Sequence, residues 1–149
     1  MSLQAEIMVK LKEAMKSKDQ VALTSLRAIK AELLLAQTAS GSKVDLTEEE
    51  EVKIIQKLVK QRKDSAAIFT EQNRNDLAEP ELAQAAIIEQ FLPEQFTEGE
   101  VEKIVLQAIE ELGASGMKDM GKVMAAVNKE VAGQTDGKTI SVLVKKNLM

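Results

Sequence analysis

The side chains best placed to do chemistry in this sequence are lysines, because it contains neither histidine nor cysteine. That absence removes the commonest general base and metal ligand, and with them every thiolate site and disulfide. After Gly113 the chain carries Lys118, Lys122, Lys129, Lys138, Lys145 and Lys146 against only Asp119, Glu130 and Asp136, a local excess of three positive charges. Lys118, Lys122 and Lys129 fall at a spacing that puts them on one face of a helix. A row of ammonium groups holds phosphates as point charges and reads no bases. Lys118, Lys122, Lys129, Lys145 and Lys146 are therefore the candidate nucleic-acid contacts, set against the plainer reading of a solvated helix face. The Gly133-Gln134-Thr135-Asp136-Gly137 turn is expected to offer backbone amides to the same phosphates. A second stripe, Lys53, Lys57 and Lys60, has similar spacing. Neither stripe holds the aromatics on which single-stranded bases stack.

Other patterns carry less. Gly116 to Lys122 has the G-x-x-x-x-G-K spacing of a phosphate loop, but Val123 replaces the magnesium-binding Ser or Thr, and no buried strand precedes Gly116. Glu48 to Glu51 are consecutive on a helix start and diverge, so they cannot enclose a metal. Ser65 beside Arg62 and Lys63 lacks an oxyanion-hole sequence. Met117, Met120 and Met124 continue into Val127 and Val131 as one packing seam. Gly121 within that helix implies a close approach by another helix or by a ligand. No catalytic centre, cofactor or metal site is expected.

The elements that position these residues read as helices throughout. Of 149 residues 44% are hydrophobic, nearly all aliphatic, with three Phe and no Trp or Tyr, a mixture that favours helices over strands. Leu3, Ile7, Leu11 and Met15 mark a first helix ending near Lys16 to Lys18. Asp19 caps a second carrying Ala22, Leu26, Ile29, Leu33 and Ala36, which stops at Ser40-Gly41-Ser42. Thr47 with Glu50 forms a capping box for a third, bearing Val52, Ile55 and Val59, then the polar Gln61 to Ser65, then Ala66 and Phe69. A fourth carries Leu77, Leu82, Ala85, Ile88 and Leu92, with Pro80 in its first turn.

Pro93 forces Leu92 out of the α region and ends that helix. Thr97 with Glu100 then starts another, onto which Phe96 staples against Val101. Val101, Ile104, Ala108 and Leu112 form its buried stripe and Gly113 its C-cap. The methionine helix ends at Gly133, and Asp136 caps a last helix with Ile140, Leu143 and Leu148 inward. The expected fold is all-α and multihelical: an N-terminal helical bundle over residues 1–92, a joint at 93–95, and a small C-terminal three-helix unit over 96–149. No apolar run approaches the roughly 18 residues needed to cross a bilayer, and the N-terminus lacks a secretory apolar segment, so no membrane is expected and the cytoplasm is the expected location. The net charge of −4 argues against a surface covered in nucleic-acid contacts, though not against a local patch.

Several segments together resemble the GatB/YqeY family over essentially the whole chain. They are Leu26-Arg27 with Lys30-Ala31, Lys60-Gln61-Arg62-Lys63-Asp64-Ser65, Arg74 and Asp76-Leu77 before Glu81, and Phe91-Leu92-Pro93. Beyond the joint come Asp119-Met120-Gly121-Lys122-Val123-Met124 and the Gly133 to Gly137 turn. Free-standing YqeY proteins resemble the tail of the B subunit of the glutamine-dependent aminoacyl-tRNA amidotransferase, and similar modules occur on some glutaminyl-tRNA synthetases. The resemblance implies a two-part helical tail that helps hold tRNA. A carbon-nitrogen ligase association, with glutamine as amide donor, would then belong to the larger enzyme, whose chemistry lies elsewhere. The alternative it implies is a protein interaction module that docks on an amidotransferase, an aminoacyl-tRNA synthetase or another partner.

Overall fold

The computed structural model describes residues 2–39 and 45–149, and among them every regular element is helical. The fold is all-α. Two compact units, Met1–Leu92 and Pro93–Met149, are taken in turn. The expected helix stop at Ser40, Gly41 and Ser42 lies outside the described residues.

The first unit contains α1 (Leu3–Ser17), α2 (Gln20–Ala39), α3 (Glu48–Glu71) and α4 (Asn75–Glu89). Local chemistry sets most of their starts. The Asp19 carboxylate accepts the Ala22 amide at 3.0 Å. At Thr47 the capping box is complete: the Glu50 amide donates to Thr47 Oγ1 at 3.2 Å, and the Thr47 amide donates to Glu50 Oε2 at 2.8 Å. α1 ends on Lys18, whose φ of 58° lets its amide reach back to Ala14 and Met15. α1 packs along α2, α3 along α4, and α2 touches both α3 and α4. Their shared core includes Ile7, Leu11, Leu26, Ile29, Leu33, Ile55, Leu58 and Ile88.

Three expectations need correction here. Met15 is 54% exposed, and Ala14 is buried in its place. Each four-residue step overshoots a turn by about 40°, so a stripe read at every fourth residue has rotated off the core by Met15. Leu77 and Leu82 are likewise exposed; α4 buries the expected Ala85 and Ile88, with Ala78 in place of the two leucines. Pro80 stands inside α4, not in its first turn, because the helix already begins at Asn75. The hydrogen bond it cannot make, to the carbonyl four residues back, is lost on an exposed turn.

The polar run Gln61 to Ser65 does not interrupt α3. Arg62 Nε donates to Gln84 Oε1 at 3.1 Å and Lys63 Nζ to Glu89 Oε1 at 3.4 Å, both on α4. Beside this polar seam the buried residues are small: Ala66, Ala78 and Ala85. α4 ends at Glu89 rather than at Leu92, and the amides of Gln90, Phe91 and Leu92 tighten onto the carbonyls three residues back.

The second unit contains α5 (Glu98–Leu112), a 3-10 turn (Met117–Asp119), α6 (Met120–Glu130) and α7 (Gly137–Leu148). Val101, Val105, Val123, Val127 and Val144 are each wholly buried, packed with Ile140, Leu143 and Val131. Phe96, Met120 and Met124 pack against this core, while Leu112 and Met117 are exposed, each corrected from the inward position expected of it. Val105 and Val123, not those two, complete the seam. Gly113 does cap α5, in the left-handed region at φ 60°.

Gly121 serves no close approach by another helix. A methyl group built at its Cα would meet nothing within 4 Å, so its backbone freedom is a net loss to α6. Gly121→Ala should raise stability by about 0.5–1 kcal/mol. Gly113→Ala should lower it by about 1–2 kcal/mol, because alanine is strained at positive φ. Denaturant melts of both variants check the pair, and a destabilised Gly121→Ala would show that something unseen needs that space.

Candidate nucleic-acid interface

The rotation of α6 about its axis decides where its lysines point. Burying Val123, Val127 and the C-cap residue Val131 turns Lys122 and Lys129 to the opposite, exposed side. Seven residues separate these two lysines, so they share a face about 10 Å apart along the axis. Lys118 stands exposed on the preceding 3-10 turn. On α7, Lys145 and Lys146 occupy the last turn, where positive charge also complements the helix dipole.

The five candidates are not equivalent. Among the described residues, Lys118, Lys122, Lys129 and Lys145 enter no ion pair, whereas Lys146 Nζ lies 3.2 Å from Glu102 Oε1 on α5. Asn147 Nδ2 also donates to that oxygen, at 3.4 Å. The Lys146 hydrogen bond, then that from Asn147, then the charge of Lys146 hold the Glu102 carboxyl below its ordinary pKa. Lys146 is thus engaged in tying the end of α7 to α5. Lys138, left out of the candidate set, is exposed and seven residues before Lys145, so the two share a face; the i, i+7 spacing in the sequence was the signal for it.

The stripe on α3 differs. Lys53 pairs with Glu49 at 3.3 Å and Lys60 with Asp64 at 3.0 Å, both one turn away on the same helix. Such exposed pairs contribute little stability, yet each places a carboxylate beside the lysine and lowers the local positive potential. Of the two basic stripes, that of α6 is the less neutralised.

The turn after α6 is built for a different purpose from the expected phosphate cradle. The Gln134 amide donates to Val131 O at 2.8 Å, and the Gln134 carbonyl accepts the Phe96 amide at 2.8 Å. Gln95 Nε2 donates to Gly133 O at 2.7 Å. These bonds fasten the segment before α5 to the turn between α6 and α7. At the start of α7, where helix amides attract an anion, the Asp136 carboxylate already accepts from Thr139 at 2.7 Å. The phosphate-loop spacing from Gly116 to Lys122 likewise encloses no loop: 117–122 is helical, and the Ser115 amide donates to Asp119 Oδ2 at 2.9 Å.

A family model described as Yqey-like protein matches residues 4–148. The chain belongs to the YqeY family. It is similar to proteins named altered inheritance of mitochondria protein 41, mitochondrial. That of Pyrenophora tritici-repentis is 34% identical over 126 residues, spanning 83% of this chain and 68% of the relative. That of Clavispora lusitaniae is 31% identical, spanning 88% of this chain and 77% of the relative. The Kluyveromyces lactis protein is 33% identical, spanning 87% of this chain and 67% of the relative. These names correct the expected cytoplasmic location, since they point to the mitochondrion. The expectation rested on the lack of a secretory apolar segment, and that pattern bears on secretion, not on entry into an organelle.

The Glu102 clip has a pH signature. Because folding lowers this pKa, the clip's stabilisation is present above the unfolded glutamate value of about 4.3 and is lost as pH falls through the folded one. The Tm of wild type should exceed that of Glu102→Gln at pH 6, with the gap closing toward pH 3. A gap independent of pH would show that the clip does not depend on ionised Glu102.

Proposed function

We propose that this YqeY-family chain is a tRNA-associated helical module whose second unit holds the nucleic-acid backbone through Lys118, Lys122, Lys129 and Lys145, with Lys146 as a fifth contact. In this reading it assists glutamine-dependent amidation of tRNA by a larger enzyme that carries the active site. The observation that carries it is the set of exposed lysines on the 3-10 turn, α6 and α7 that enter no ion pair among the described residues, in contrast to Lys53 and Lys60 of the α3 stripe, which are paired. Contacts of this kind position a phosphate backbone and leave sequence unread. Affinity is then modest, steep in salt and tolerant of which tRNA is offered. The unit as a whole holds seven lysines against nine carboxylates, so the attraction is confined to one face.

Binding of unmodified tRNA at two salt concentrations tests this. Lys118→Glu with Lys122→Glu should weaken binding at least about tenfold and reduce the salt slope by about 2. Lys53→Glu with Lys60→Glu, at the two paired positions of α3, should change it by less than about threefold, about 0.6 kcal/mol on the scale where tenfold is 1.4 kcal/mol. Glu102→Gln, by releasing Lys146, should tighten it. Equal losses from the two charge reversals would remove the site assignment, and a wild-type chain that binds no tRNA at low salt would remove the function.

A further inference from the structure

Between α1 and α2 of the first unit lies an open groove of about 220 Å³. Its floor is Ile7 and Leu33, each 1% exposed, and its rim is Met8 at 42% and Leu34 at 46%. One end is bridged by Gln4 Nε2 donating to Gln37 Oε1 at 3.1 Å. Helical spacing extends the rim: Met15, 54% exposed, lies seven residues after Met8 and shares its face. From Gln4 to Met15 the helix rises about 16 Å, the length of three turns.

The charge in this groove has one sign. Lys30 lines it, and Arg27, three residues before Lys30 and seven before Leu34, continues the same side of α2. Both are exposed and enter no ion pair among the described residues. The nearby carboxylates, Asp45 and Glu51, line a separate smaller hollow that shares the glutamine bridge and not Lys30.

We infer that this groove receives an amphipathic helix of about three turns from another protein, laying an apolar stripe on Met8, Met15 and Leu34 and setting acidic side chains against Arg27 and Lys30. Two antiparallel helices with an apolar furrow between them are the seat such a helix needs, and methionine rims adapt to varied side chains. A second copy of this chain fits less well. The apolar pair at helical spacing that it exposes on α1, Met8 and Met15, is flanked by the exposed Lys12 and Lys16, which would face Arg27 and Lys30, while its exposed leucines on α4 and on α5 are five and six residues apart and make no stripe. The groove lies in the other unit from the lysines assigned to tRNA, and the two readings stand or fall separately.

The test uses the full chain with 13C-methyl methionine and two synthetic 18-residue helices. Both carry leucine at i, i+4, i+7 and i+11; one has glutamate on the flanks and the other lysine. The glutamate peptide should shift the Met8 and Met15 methyl signals and bind at least tenfold more tightly than the lysine peptide. Leu34→Gln should weaken it at least tenfold. Arg27→Glu with Lys30→Glu, at exposed positions that folding tolerates, should reverse the preference. Equal affinity for both peptides, or no shift of Met8 and Met15 at millimolar glutamate peptide, overturns the inference. So does a wild-type chain that sediments as a dimer and becomes monomeric on Leu34→Gln, since the occupant would then be a second copy.

Discussion

The burial of a valine stripe on α6 is the constraint on which the functional reading of this protein depends. Val123, Val127 and Val131 must face Val101, Val105 and Val144 to leave water, and with Met120 and Met124 packed beside them they fix how α6 is rotated. Full burial of a valine contributes about 1.5–3 kcal/mol, far more than any exposed lysine gains from its setting. The lysine face is therefore a consequence of the core. β-Branched valine has few χ1 rotamers in a helix, which helps to hold that rotation in a core whose buried members are all aliphatic.

The same small core has a backbone fastening. The segment before α5 is pinned to the turn after α6 through Phe96 and Gln95, which bond to Gln134 and Gly133. These contacts join residues 38 apart in the chain and close the three-helix unit where its first and last connections meet. They also account for the glycine at 133, buried at φ 77°, where a side chain would be strained. The Lys146 and Glu102 clip ties the end of α7 to α5 in the same unit.

Charge is organised by face within a chain that is acidic overall. Screening confines electrostatic attraction to about 8 Å at physiological salt, so a phosphate near α6 responds to Lys118, Lys122 and Lys129 more than to the carboxylates of α5. On α3 carboxylates sit one turn from Lys53 and Lys60 and are felt with them. In the first unit an apolar groove with Arg27 and Lys30 beside it gives cations a different setting, one suited to an acidic side chain on a helix rather than to a bare phosphate chain.

What the sequence by itself determined is whatever is local. The caps at Asp19, Thr47, Thr97 and Asp136, and the left-handed Gly113, are set by bonds spanning three or four residues, so a reader of the sequence can place them. The all-helical composition, the family segments and the spacing of Lys118, Lys122 and Lys129 were legible for the same reason. Only the tertiary structure decided that Lys146 is engaged, because it meets a carboxylate 44 residues away. It tied Gly133 and Gln134 to the segment before α5, carried α3 through its polar run by supplying Gln84 and Glu89 opposite, and left Leu77 and Leu112 outside. In each case the deciding partner lay in a distant part of the chain, where no pattern along one helix could register it.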